Sequence, residues 1–395
     1  LKNIRDFFNN HSSSFAHRST KELKQLVCLF RLLSNPRISK LGIQLMKLFG
    51  HIKFPGFQTI QRLLFFPFYA GTTLQESEST VASLSNFGVH SYLNYAIEDS
   101  STESEFDTNC EMLQNLIFHA AKTNDIPFSV CKPTSFGHKH IFQKINVKHS
   151  LTGEEQVAWK RVMHRFRCCC QTALEHGIDL LIDAEEYSMQ IAVDQMVMDL
   201  MREFNITKAV VYNTVQLYLV DGNDRLRKMH NTATKEGFYL GLKLVRGAYM
   251  EKEWKIAQKK GFTSPICTSK VETDMNFNTG VAYCLKHLVN IAVVLGSHNE
   301  ESMIQAINLM DLYKIKPNDD RVWFSQLLGM SDYISFVLSE EGYNVVKFVP
   351  FGPMNKLIPY LARRAEENTA IAGQTLRELT RLRSELKRRS LANER

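Results

Sequence analysis

The sequence predicts an α/β fold, a distorted (β/α)8 barrel of the TIM type with an N-terminal α-helical arm, and three observations lead to it. From Gly88 onward, β-rich runs alternate with amphipathic helical stretches. Eight such runs can be counted: Val89 to Ala96, Phe128 to Lys132, Leu180 to Ala184, Ala209 to Val215, Leu240 to Gly247, Ile291 to Gly296, Val322 to Gln326 and Val345 to Val349. Polar and charged residues gather where these runs end, which is where a barrel of this kind keeps its chemistry.

Taken in order, residues 1 to 18 are polar and rich in Ser and Asn, a loose lead-in. Ser19 or Thr20 is placed to cap a helix that carries Leu23, Leu26, Val27 and Phe30 on one side. A second helix is expected from about Pro36 to Phe49, and a third from Phe57 to Phe66, ended by Pro67. Residues 1–70 thus read as the arm. Residues 71–373 read as the barrel, with helices such as Glu154 to His176, Ile191 to Phe204 and Ser302 to Tyr313 between the strands. Residues 374–395 carry Leu376, Leu379, Leu382 and Leu386 among arginines and lysines, a basic amphipathic helix that suits packing, a partner or an anionic membrane surface.

Composition excludes several classes. The 395 residues are 44% hydrophobic, which fits a globular chain with a large core. A net charge of +7 is modest, and much of the excess lies in the last helix, so no nucleic-acid partner is inferred. The 8 cysteines form no CxxC pairs, and Cys168, Cys169 and Cys170 are contiguous, which suits a reduced protein better than a disulfide framework or a zinc site. Lys47, Lys53 and Arg62 interrupt the most apolar region, so no transmembrane helix is expected. No GxGxxG or GxxxxGK[ST] follows a strand; a nucleotide cofactor would bind without a Rossmann or P-loop cradle. His138 and His140 lack a third ligand near in sequence, and no metal site is expected.

The polar strand ends are Lys132; Asp183, Glu185 and Glu186; Asn213, Gln216 and Tyr218; Lys243, Arg246 and Tyr249; Ser297, His298 and Asn299; and Gln326. After the last run, Val349 to Pro353 is expected to leave the sheet in a turn, since Gly and Pro cannot continue a regular ladder. The next helix, Tyr360 to Asn368, places Tyr360, Arg363, Arg364 and Glu367 on one stripe. Two neighbouring guanidiniums want an anion, and Arg offers a fork that fits a carboxylate or phosphate in two places. The sum is a cationic pocket for an anionic ligand. Phosphosugar chemistry with Lys132 as base or Schiff-base amine, metal-assisted hydrolysis and amino-acid oxidation all remain open on spacing alone.

The motifs Tyr360-Leu-Ala-Arg-Arg-Ala-Glu-Glu-Asn368, Leu244-Val-Arg-Gly-Ala-Tyr249 and Leu181-Ile-Asp-Ala-Glu185 together resemble the proline dehydrogenase family, and most closely its mitochondrial, animal-type branch. The resemblance runs from about Tyr69 to Ala370. It implies oxidation of L-proline to Δ1-pyrroline-5-carboxylate with FAD as cofactor, electrons passing to a membrane quinone, and a peripheral location on the matrix side of the mitochondrial inner membrane. Carried over by residue, it implies that Arg363 and Arg364 bind the substrate carboxylate, oriented by Glu367. Ala248, Tyr249, Leu327, Phe348 and Tyr360 would wall the ring, and Lys132 and Asp183 would form an ion pair beside the amine. Gln216, Lys243, Val245, Arg246, Gly247, Ala248, Ser297, His298, Asn299, Arg364 and Glu367 would line the flavin. Bacterial members usually read Arg-Leu-Val-Lys-Gly-Ala-Tyr, so Lys243 and Arg246 stand here in the opposite order. Phe348 stands where proline-specific members commonly carry Tyr and hydroxyproline-specific relatives a small residue. The alternatives are a hydroxyproline dehydrogenase within the class and, outside it, a flavin-free barrel enzyme or a non-catalytic binding protein.

Overall fold

The β-rich runs form one 8-stranded sheet in the order β1-β8-β7-β6-β5-β4-β3-β2. The strands are β1 His90–Tyr95, β2 Phe128–Cys131, β3 Asp179–Ile182, β4 Val211–Gln216, β5 Leu240–Val245, β6 Ile291–Gly296, β7 Val322–Leu327 and β8 Val345–Phe351. This is a computed structural model of the chain, and it describes residues 7–8, 12–33, 67–95, 100–353, 356–357, 360 and 374–393. All the ladders are parallel. The ends of the sheet approach each other where Ser91 N–H donates to the Asp125 carbonyl at 2.8 Å, just ahead of β2, so the barrel is nearly closed. Parallel strands are covered by their crossover helices and read as continuous apolar runs, which is why they stand out in the sequence.

Lys132, Ala184 and Gly247, expected as last residues of strands, instead lie one or two positions beyond them, at the barrel mouth. The opposite correction applies to β8: it does not leave the sheet at Val349 but continues through Pro350 to Phe351. Its ladder with β7 ends at Phe348, so Pro350 stands beyond the last β7 partner and its missing N–H breaks no bond there. Inside the barrel Phe128 meets Tyr92, Tyr212 and Trp323 edge-on, with centroids 6.5, 5.9 and 5.2 Å apart. Aromatic rings thus fill the barrel below the mouth.

The first arm helix, α1 Thr20–Leu33, is capped by Ser19. Glu22 N–H donates to Ser19 Oγ at 3.2 Å while Ser19 N–H donates to Glu22 Oε2 at 2.8 Å, a capping box. Leu23, Leu26 and Phe30 are buried. The C-terminal helix, Gln374–Asn393, lies against α1 and buries Leu379 and Leu382, so part of its apolar face is already covered. The second and third arm helices, expected over 36–49 and 57–66, lie outside the described residues. Among the described residues, no helix is long and apolar enough to cross a membrane.

Candidate active site

Strand register brings the mouth residues together. Cys131 pairs with Ile182, Ile182 with Asn213, and Thr214 with Lys243. Continued by one residue, this register sets Lys132, Asp183, Thr214 and Lys243 level on one face of the sheet. Lys243 Nζ donates to Asp183 Oδ1 at 2.7 Å, and Thr214 Oγ1 lies 3.5 Å from the same oxygen. The Lys243 side chain is only 8% exposed. Burial works against its charge, but Asp183 and the Tyr92 hydroxyl more than offset this and hold the ammonium above its ordinary range.

Two aromatic faces complete this corner. Lys243 Nζ lies 5.2 Å from the Tyr92 ring centre and 5.9 Å from that of Phe348. Phe348 meets Tyr92 edge-on at 5.4 Å and Tyr360 at 5.8 Å, and all three rings are buried. The Tyr92 hydroxyl is fixed by Ser325 Oγ at 2.9 Å.

The expected ion pair between Lys132 and Asp183 is therefore corrected: the lysine that closes on Asp183 is Lys243, two strands away. In a barrel, alternate strands fill a common layer, and a long side chain on β5 reaches across it to the end of β3. Lys132 instead lines a cavity of about 40 Å³ with Asn94, Tyr95, Asn109 and Met112. Its charge acts on Glu185, whose carboxyl is raised by burial, while Lys132 and the hydrogen bonds from Thr134 at 3.1 and 2.9 Å pull it down.

A second group lies along the ends of β4, β5 and β6. Arg246 is held at all three nitrogens: Nε donates to Asp274 Oδ1 at 2.8 Å, one terminal nitrogen to Ser297 Oγ at 2.6 Å, and the other to Ser302 Oγ at 2.8 Å. Its guanidinium also stacks 4.4 Å from the centre of the Phe277 ring. Burial lowers its pKa, and Asp274 counters this in part. The two cations of the Lys243-Leu-Val-Arg246 segment are thus separated: Lys243 turns into the barrel, whereas Arg246 is fixed toward the helix Lys270–Lys286. Val245 ends β5. Gly247 follows with φ +139°, and a Cβ there would come within 2.4 Å of the Tyr218 ring, so only Gly fits. Ala248 is exposed, and Tyr249 is the residue that opens the helix Met250–Lys260.

Asn299 caps the helix Glu300–Leu312 by accepting from Ser302 N–H at 3.2 Å, and its own N–H donates to Ser297 Oγ at 3.0 Å. His298 Nδ1 lies 3.2 Å from Ser331 Oγ. Gln216 Nε2 donates to the Glu185 carbonyl at 3.1 Å, while its buried Oε1 has no partner among the described residues. Leu327 is half-buried at the end of β7, where its carbonyl accepts from Lys347 Nζ at 3.3 Å. Arg363, Arg364 and Glu367 lie outside the described residues.

Tyr92, Thr214, Asp274, Ser302, Ser325 and Ser331 were not singled out in the sequence. Tyr92 sits on an inward position of β1 and could have been found from strand alternation. Asp274 lies within a helix and carries no local signal of its bond to Arg246.

The fold and site find relatives. The family model described as proline dehydrogenase matches residues 77–377. The chain is 36% identical over 322 residues to the carbapenem antibiotics biosynthesis protein CarD of Pectobacterium carotovorum subsp. carotovorum, covering 82% of this chain and 83% of that protein. It is 30% identical to mitochondrial proline dehydrogenase 1 of Dictyostelium discoideum, covering 96% of this chain and 74% of the relative. With the human mitochondrial proline dehydrogenase 1 it shares 38% identity, over 60% of this chain and 40% of that one. Among solved structures, proline utilization A from Bdellovibrio bacteriovorus superposes with a TM-score of 0.78 at 19% identity, over 93% of this chain and 40% of that chain, which speaks for the fold alone. The barrel, its mouth residues and the match over 77–377 lead to one conclusion: the chain belongs to the proline dehydrogenase family.

Proposed function

We propose that the protein oxidises L-proline to Δ1-pyrroline-5-carboxylate with FAD as cofactor and a membrane quinone as electron acceptor. The observation that carries this reading is the buried Lys243–Asp183 pair, walled by Tyr92 and Phe348, at the mouth of a barrel of this family. The residues present suit FAD: Gln216 Oε1, buried and with no partner among the described residues, is an acceptor for a ring N–H, and Ser297, His298 and Asn299 add polar groups at the end of β6. Lys243, Gln216, Arg246, Ser297, His298 and Asn299 would hold the cofactor. FAD, when bound, supplies the two-electron oxidising chemistry.

The chain's own contribution is binding and protonation. Arg363 and Arg364 would receive the substrate carboxylate, with Glu367 orienting them, since a guanidinium fork matches a carboxylate in two places. Phe348 and Tyr360 would bound the pyrrolidine ring, Leu327, Ala248 and Tyr249 the remaining walls. Because Asp183 is already neutralised by Lys243, it offers little to a second cation, and the Lys243 ammonium nearby disfavours an ammonium on the substrate. The pair therefore favours a proline whose amine is neutral, the form from which oxidation next to nitrogen proceeds.

Phe348 keeps a full ring pressed between Tyr92 and Tyr360 and would crowd a 4-hydroxyl, so proline is preferred over trans-4-hydroxyproline. A mitochondrial location is supported by how several of the curated relatives are named; a place at the periphery of the inner membrane, on its matrix side, would suit transfer of electrons to a membrane quinone. Steady-state kinetics on both substrates with an artificial electron acceptor test the reading. A kcat/KM at least tenfold higher for proline is expected, and a preference for hydroxyproline would overturn the assignment. In the same assay Arg364→Lys should raise KM for proline strongly while FAD stays bound.

A further inference from the structure

The C-terminal helix Gln374–Asn393 is tied to the neighbourhood of His298 through Glu300, two residues beyond it, and through Ser331, whose Oγ faces its ring. Arg381 donates to Glu300 Oε1 at 2.7 Å, in the first turn of the helix that follows Asn299. The Ser331 N–H donates to Glu378 Oε1 at 2.5 Å. Ser331 precedes the helix Asp332–Glu340 with φ +49° and ψ +41°, a left-handed conformation unusual for a residue other than Gly, and it is 1% exposed. An N–H in that position has no acceptor in its own helix, and burial denies it water. Its side-chain oxygen faces His298 Nδ1 at 3.2 Å.

We propose that Glu378 is a positioning residue for the cofactor site, holding Ser331 in this conformation so that Ser331 Oγ fixes the His298 imidazole. The proposal rests on the reading that His298 lines FAD. A carboxylate that only filled space here would be a poor choice, since burying its charge is costly unless a hydrogen bond or countercharge repays it. Here the donor to that carboxylate is the Ser331 N–H, a backbone group with no acceptor in the helix it precedes. Burial and the nearby Asp332 charge push the Glu378 carboxyl up to about 7, against the Ser331 hydrogen bond, Lys347 and Arg381.

The test uses the full chain stripped of flavin, with the FAD dissociation constant read from quenching of FAD fluorescence. Glu378→Gln keeps an acceptor for Ser331 N–H and should bind FAD within threefold of wild type. Glu378→Ala should bind at least tenfold more weakly while its thermal transition stays cooperative. Ser331→Ala, which retains the backbone bond but loses Oγ, should weaken binding similarly, and the double variant should add little to either. Unchanged FAD affinity in Glu378→Ala or in Ser331→Ala overturns the proposal; if Glu378→Ala does not fold, Ser331→Ala decides. A wild-type chain that takes up no FAD overturns the reading beneath it instead.

Discussion

Lys243 decides more at this site than its place in a motif suggests. Its ammonium is buried, bonded to Asp183, and faced by two rings. Removing one partner of such a pair strands the other charge in a medium that cannot solvate it, at a cost of about 3–5 kcal/mol. Asp183→Ala should therefore lower the unfolding free energy by roughly that amount in urea titrations. Lys243→Met combined with Asp183→Asn should lose clearly less than the sum of the single losses, because no charge is left unpaired. Equal additivity would mean that the pair is not coupled. The sequence shows both residues as polar strand ends, but not which lysine Asp183 chooses. That choice depends on barrel closure, which brings strands two apart within reach.

Among elements, β8 and the C-terminal helix depart most from what local rules suggest. Two prolines and a glycine imply that the sheet ends at Val349, yet β8 runs on to Phe351 because β1 still pairs with it, Asn94 with Pro350 and Tyr95 with Phe351, while on the β7 side the ladder has already ended. The C-terminal helix is visible from its leucine spacing, but its buried Glu378 looks like any solvated glutamate until Ser331 is seen beneath it. The strength of that burial can be read from pH. The Glu378 pKa is about 7 in the fold against an ordinary value of 4.5, so between these values the folded state holds more protons than the unfolded one. Stability contributed by this group consequently falls as pH rises through that window and is constant above it, a difference on the order of 3 kcal/mol. Glu378→Gln should be more stable than wild type at pH 8, with the gap closing toward pH 5, as measured by thermal unfolding across pH. A gap independent of pH would contradict the burial argument.

At the scale of the whole molecule, the eight parallel strands were legible because each is covered on its outer side by a helix and buried within, leaving apolar runs bounded by polar ends. The mouth was legible as a collection of charges, since the C-terminal ends of barrel strands carry the chemistry. Its internal pairing was not, because Arg246 finds Asp274 and Ser302 on helices, where nothing in the local pattern marks them. What unites these observations is a ring-walled mouth with a buried lysine–aspartate pair, which suits the proposed substrate, an amino acid with an anionic carboxylate and a neutral amine. The direct test is the visible spectrum of the purified chain after incubation with FAD, recorded without oxygen before and after L-proline is added. The account predicts flavin absorption bands that travel with the protein and bleach on addition of proline. A chain that retains no flavin, or a bound flavin that proline leaves oxidised, would contradict it.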